Sequence, residues 1–315
     1  MVTQVIGVSD TRNVAVDCWG DPKGFPVFLL HGTPGSRSGP IPRASVLYRL
    51  GVQLVCYDRP GYGLSDRDEG RLVASAASDV LAIADALGLP EFAVIGRSGG
   101  GPHALACAAL TDEARLRSVA VLVSLAPSDA EDLDWFGGMA VTNIDDYEMA
   151  TCRGNDTAAA RLTVEAVSAD LNLRADQIRQ NPEILLSTLE GEMTHPDKRI
   201  VKDVGIRRQL TGAYKEALKY GAYGWIDDVL AFRRPWGFDL ETIKIPVLLW
   251  HGEEDVFSPS EHSRWLAKHI PSAQIEVQQG AAHFTAVEFL PRLLARMKVS
   301  EGLRVQGAQH APSVA

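Results

Sequence analysis

Three residues able to carry out acyl-transfer chemistry together stand just after short apolar runs in this chain. Ser98 lies in Gly96-Arg97-Ser98-Gly99-Gly100, a GxSxG sequence directly after the apolar run Phe92 to Ile95. Five-residue patterns of this kind arise often by chance, so the setting carries the weight. A buried strand before the serine and a helix after it, with Pro102 tolerated in the first turn, make a strand–turn–helix elbow that exposes the hydroxyl. Side chains at Gly96 and Gly100 would collide with neighbouring backbone in so tight a turn. The helix N-terminus beneath favours negative charge as it develops.

A serine nucleophile needs a base, and the base needs an orienting carboxylate. Asp255 lies in His251-Gly252-Glu253-Glu254-Asp255-Val256-Phe257-Ser258-Pro259, after a strand at Val247 to Trp250. His283 lies in Gly280-Ala281-Ala282-His283-Phe284, after a strand at Gln274 to Val277. All three residues thus sit at carboxyl ends of strands, where open α/β sheets place their ligands. Glu253 and Glu254 compete with Asp255 for the acid, and Asp129 offers another position after a strand at Val119 to Leu125. Among the other histidines, His251 belongs to the strand-to-loop transition and His103 to the helix after the elbow. His195, His262 and His269 fall in surface helices or loops, and His310 in the tail.

Acyl transfer also needs two N–H donors aimed at the oxyanion. The amide of Gly99 supplies one. His31-Gly32-Thr33-Pro34-Gly35-Ser36 follows a strand at Val27 to Leu30 and supplies the other at Thr33, because Pro34 has no N–H. His31 reads first as a polar anchor for this loop and second as a substrate contact. Asp58-Arg59-Pro60-Gly61-Tyr62-Gly63-Leu64-Ser65 ends the strand Val52 to Tyr57 in a fixed turn, where Asp58 and Arg59 brace the loop.

The elements that position these residues alternate. A strand at Val14 to Trp19 joins those already named, and helices are expected at Ala74 to Leu87, stopped by Gly88, at Gly99 to Leu110 and at Phe284 to Met297. This is the pattern of an α/β fold with a mostly parallel sheet. From Pro127 to Asp239 no buried strand is legible and helices dominate. The expected organisation is a core of residues 1–126 and 241–298, a helical cap of 127–240 over the active site, and a frayed tail at 299–315.

Composition excludes several classes. The 315 residues are 46% hydrophobic and 23% charged, as in ordinary globular proteins. Lys plus Arg is 31 against 40 for Asp plus Glu, a net charge of -9, with no basic stripe for nucleic acid or an anionic membrane. No apolar run approaches the ~20 residues of a membrane span. The N-terminus lacks the basic and apolar regions of a signal peptide, so a cytoplasmic location is expected. Cys18, Cys56, Cys107 and Cys152 form no CxxC pair and read as reduced thiols in the interior, not as a metal site.

Taken together, HGTPGS at 31–36, DRPGYGLS at 58–65, GRSGG at 96–100, GEEDVFSP at 252–259 and GAAHF at 280–284 resemble the α/β-hydrolase superfamily. The likeness is to its serine esterase, haloperoxidase-like and epoxide-hydrolase-like branch. It implies an eight-stranded, mostly parallel sheet with a helical cap between strands six and seven. It also implies Ser98 as nucleophile, Asp255 as acid and His283 as base, with oxyanion amides at Thr33 and Gly99. Epoxide hydrolases and haloalkane dehalogenases carry Asp at the elbow, where this chain has Ser98. Proline iminopeptidases, similar around DRPGYGLS, usually carry Trp after the serine, where this chain has Gly99.

The expected activity is hydrolysis of a small-molecule ester, lactone or thioester, with no metal or organic cofactor. A non-hydrolytic cyclase, lyase or transacylase using the same triad is the alternative, followed by a proline-iminopeptidase-like peptidase. Candidate substrate contacts are His31, Arg97, Trp135, Phe136, Met139, Trp225 and Trp236. An acidic stretch from Asp129 to Glu148, free of Lys and Arg, either attracts a cationic substrate or forms a solvated face. A homodimer is compatible with the sequence, which does not fix the oligomeric state.

Overall fold

Alternating apolar runs and amphipathic segments become one eight-stranded sheet in the computed structural model, which describes residues 2–151 and 157–308, with side chains for 2–151 and 158–297. The strands are β1 (Gln4–Gly7), β2 (Asn13–Gly20), β3 (Phe25–Leu30), β4 (Val52–Tyr57), β5 (Phe92–Arg97), β6 (Leu116–Leu122), β7 (Val247–Gly252) and β8 (Ala273–Gln278). Their spatial order is β1-β2-β4-β3-β5-β6-β7-β8. The pairs β1/β2 and β2/β4 are antiparallel and all later pairs are parallel. Parallel neighbours need crossover helices. These are α1 (Ala44–Leu50), α2 (Ser75–Ala86), α3 (Gly100–Leu110) and α10 (Ser260–His269), and α11 (Thr285–Ala308) closes the chain.

Alternation along the strands divides the interior into two cores, because successive side chains point to opposite faces. Phe28, Leu30, Val55, Tyr57, Phe92 and Val94 share one. Val27, Leu29, Leu54, Cys56, Ala93 and Ile95 share the other, with Phe289 and Leu293 of α11. Burial on both faces explains why Phe92 to Ile95 is a continuous apolar run.

Three features depart from expectation by more than two residues. The strand expected at Val119 to Leu125 is Leu116–Leu122: pairing with β5 recruits Leu116, and the chain turns away at Val123, whose φ is 48°. Val123 and Leu125 are apolar because they stay buried beyond the strand. β1 has no expected counterpart, since only Ile6 of its four residues is buried and the run carries no alternation to detect. The last helix does not stop at Met297 but continues to Ala308, through a segment whose Lys, Glu, Leu, Arg and Gln residues favour helix despite two glycines.

Between β6 and β7 the described residues form α4 (Val141–Met149), α5 (Thr157–Gln180), α6 (Glu183–Glu192), α7 (His195–Val201), α8 (Val204–Ala217) and α9 (Tyr223–Phe232), with no strand. They pack on one another through α4/α9, α5/α9 and α5/α8 contacts. Among the described residues no helix is long and apolar enough to cross a membrane. Cys56 and Cys107 are buried free thiols and Cys18 is a half-buried one; Cys152 lies outside the described residues. Burial pushes the Cys107 thiol up to about 12, so it stays protonated.

Candidate active site

Ser98 sits between the end of β5 and the start of α3 in the left-handed region, with φ 54°. An L-residue held there costs roughly 1–2 kcal/mol, so the surroundings must impose the turn. They do so by close packing. A Cβ at Gly96 would lie 2.3 Å from Gly100 O, and one at Gly100 would lie 2.2 Å from Leu30 O. The Ser98 N–H donates to Leu122 O at 2.8 Å, and Ser98 O accepts from the Gly101 N–H at 2.8 Å.

His283 Nε2 lies 3.0 Å from Ser98 Oγ, and His283 Nδ1 lies 2.8 Å from Asp255 Oδ2. An ionised Asp255 accepts from Nδ1–H, which leaves the Nε2 lone pair for the serine proton. Of the acids in this loop, Asp255 alone turns inward; Glu253 and Glu254 are exposed, as is Asp129. Asp255 Oδ1 also accepts from the Phe257 and Ser258 amides at 2.8 and 3.0 Å. Burial would raise this carboxyl, but His283 and the bond from His251 hold it below the usual carboxylate range. The side chain of His283 is 13% exposed and that of Asp255 is 0% exposed, so water reaches the base and not the acid.

Thr33 packs directly against the elbow: a Cβ on Gly99 would meet Thr33 Oγ1 at 2.2 Å. Among the described residues no backbone carbonyl takes up the amide N–H of Thr33 or of Gly99. Two unengaged amides beside a serine hydroxyl can receive a developing oxyanion. Behind them lies a buried polar network centred on Asp228 of α9. Asp228 Oδ2 accepts from Thr33 Oγ1 at 2.5 Å, Arg59 at 2.5 Å and the Tyr62 hydroxyl at 2.8 Å, while Oδ1 accepts from Arg71 at 2.6 Å. Burial alone would raise the Asp228 carboxyl; Arg59 and Arg71 more than offset it and keep it ionised.

The profile of the α/β-hydrolase fold family matches residues 26–289. The chain belongs to this family. A 2-hydroxymuconate semialdehyde hydrolase of Pseudomonas putida is 24% identical over 273 residues, covering 86% of this chain and 84% of that one. The esterase of Exiguobacterium antarcticum superposes with TM-score 0.66 at 19% identity, over 94% of this chain and 99% of that one. The enol-lactonase of Burkholderia xenovorans LB400 superposes with TM-score 0.58 at 19% identity, over 93% and 97%.

In this α/β-hydrolase the pocket over Ser98 is lined by residues from the elbow, the Thr33 loop and the helices between β6 and β7. Of the candidate contacts, Arg97 and Trp225 line it; His31, Trp135, Phe136, Met139 and Trp236 do not. His31 is buried behind the loop, where Nδ1–H donates to Gly32 O at 2.8 Å and Nε2 accepts from the Arg59 N–H at 3.1 Å. Trp135 spends its indole N–H on Ala126 O and packs edge-on against His262, with Phe136 edge-on to it. Met139 joins the core, and Trp236 packs on Phe238. The acidic stretch is not a free rim at Asp146, which is buried and paired with Arg174.

Two acids near the site escaped the sequence. Asp228 stands at helical spacing from Trp225 and Phe232, and a carboxylate on that apolar face was the available signal. Asp197 of α7 gives no such signal. Its Oδ1 accepts from the Phe284 N–H at 2.7 Å, beside His283, while Oδ2 has no partner among the described residues. Burial pushes the Asp197 carboxyl up to about 6. Three other histidines are structural: His251 donates from Nε2 to Ser258 O and Asp255, His262 from Nε2 to Trp135 O, and His103 bonds Gly99 O through Nδ1.

Proposed function

We propose that this α/β-hydrolase cleaves a small-molecule ester, lactone or thioester through an acyl-serine intermediate. The hydrogen-bonded chain from Ser98 Oγ through His283 to Asp255 carries this reading. His283 Nε2 takes the serine proton as Oγ attacks the carbonyl carbon. The Thr33 and Gly99 amides receive the oxyanion, each worth roughly 3 kcal/mol by analogy with measured oxyanion donors. Collapse expels the alcohol or thiol, which takes the proton from His283. Water, deprotonated by the same nitrogen, then releases the acid and restores Ser98. Residues 127–240 act as the lid that selects the substrate. The names of the Pseudomonas hydrolase and of the esterase and enol-lactonase neighbours support hydrolysis.

A fluorophosphonate probe tests the nucleophile, with intact mass as readout and Ser98→Ala as control. One adduct, absent in Ser98→Ala, together with turnover of short p-nitrophenyl esters, is the expected result. An adduct without ester turnover would point to a cyclase, lyase or transacylase. No adduct would overturn the assignment of Ser98.

A further inference from the structure

Among the described residues, the residue before the nucleophile has no hydrogen-bond or ion-pair partner. Arg97 lines the same pocket as Ser98, and among the described residues no carboxylate, carbonyl or hydroxyl accepts from its guanidinium. The other arginine at this pocket is satisfied, since Arg174 pairs with Asp146 and with Asp170 at 3.4 Å. Buried arginines elsewhere in the core are matched too: Arg59 and Arg71 to Asp228, and Arg37 to Asp58 and, at 3.3 Å, to Asp17. A guanidinium partly withdrawn from bulk water without a counter-charge is costly, and Arg97 lines the pocket that holds Ser98.

We infer that Arg97 is the counter-ion for a carboxylate carried by the substrate, so that the enzyme acts on acid-bearing esters, lactones or thioesters. This rests on the hydrolytic reading above and narrows its substrate class. Arginine suits the role because its planar fork meets both carboxylate oxygens at once. Tyr214 of α8 lines the same pocket. Burial pushes the Tyr214 hydroxyl up to about 12, so it stays protonated and able to donate to the same anion. Burial also lowers the Arg97 pKa, a penalty that a bound carboxylate would remove. Arg97 and Ser98 line one pocket, so the anion is sought on either side of the scissile bond.

Two matched substrate pairs test this. One compares mono-p-nitrophenyl glutarate with p-nitrophenyl hexanoate, placing the carboxylate on the acyl side. The other compares 4-butyryloxybenzoate with its methyl ester, placing it on the leaving side. The acid member of at least one pair should have a kcat/KM about tenfold or more above its neutral counterpart, as expected for a charge-assisted contact. Arg97→Gln should bring that ratio to about one and Arg97→Lys should retain part of it. The ratio is read within each variant, so loss of folded protein cancels. No preference in either pair, or a preference that survives Arg97→Gln, would overturn the inference. If no ester turns over, titration calorimetry of glutarate with Ser98→Ala still decides it: binding lost on adding Arg97→Gln supports the anion site, and absent or Arg97-independent binding refutes it.

Discussion

Thr33 Oγ1 lies 2.5 Å from Asp228 Oδ2, joining the loop after β3 to α9 across 195 residues of chain. This bond places the side chain of Thr33 in the buried network, while no backbone carbonyl among the described residues takes up its amide. Thr33→Val keeps the amide and the shape but removes the hydroxyl donor. The kcat for an activated ester should fall about tenfold, the size of one hydrogen bond's net worth. Steady-state kinetics with p-nitrophenyl acetate checks this; an unchanged kcat would show that the loop holds without Asp228.

Removing Asp228 itself should act on stability first. Arg59 is 0% exposed and the side chain of Arg71 2% exposed, and Asp228→Ala leaves both without their anion. The cost should be about 3–5 kcal/mol, as when one partner of a buried ion pair is deleted. Thermal unfolding followed by circular dichroism would show a large fall in midpoint. A midpoint within a degree of the parent would mean that water reaches these arginines.

Asp255→Asn keeps the size of the side chain but removes the charge that selects the Nδ1–H tautomer of His283. We expect kcat to fall about ten-thousand-fold, the effect measured when the aspartate of another serine triad is amidated. Folding should survive, because an amide oxygen still accepts from the Phe257 and Ser258 amides. A loss below tenfold would place the orienting acid elsewhere.

Asp197 gives a pH-dependent prediction. Its carboxyl is raised to about 6 in the folded protein from an ordinary value near 3.8. A raised carboxyl contributes stability that is complete below about pH 4 and is lost as pH rises through about 6. Asp197→Asn still accepts from the Phe284 N–H but carries no charge. Relative to the parent, the variant should therefore gain stability between pH 4.5 and pH 8, by up to about 3 kcal/mol for a two-unit shift. Unfolding midpoints of both proteins across that range check the sign, and parallel curves would refute it.

Much of the frame was legible in the chain itself. Runs such as Leu54–Tyr57 and Phe92–Ile95 announce strands because burial on both faces demands apolar residues at every position. Ser98 and Asp255 were legible because each follows such a run, and His283 because it follows the alternating strand β8; strand ends are local features. The start of β6 was harder, since Arg117 and Ser118 are polar and sit where the register slips between the Phe92–Leu116 and Val94–Val119 pairs.

What the sequence determined by itself was therefore local: where backbone periodicity and turn chemistry put strands, the elbow and the loop ends. Tertiary structure decided which of three neighbouring acids turns inward, which aromatic side chains face the pocket and which fill the core, and which charges are matched. Arg59 and Arg97 are both arginines that close or follow a strand, yet one meets Asp228 from 169 residues away and the other meets no anion among the described residues. Charge pairing depends on what folding brings within a few ångströms, and distance along the chain carries no record of it.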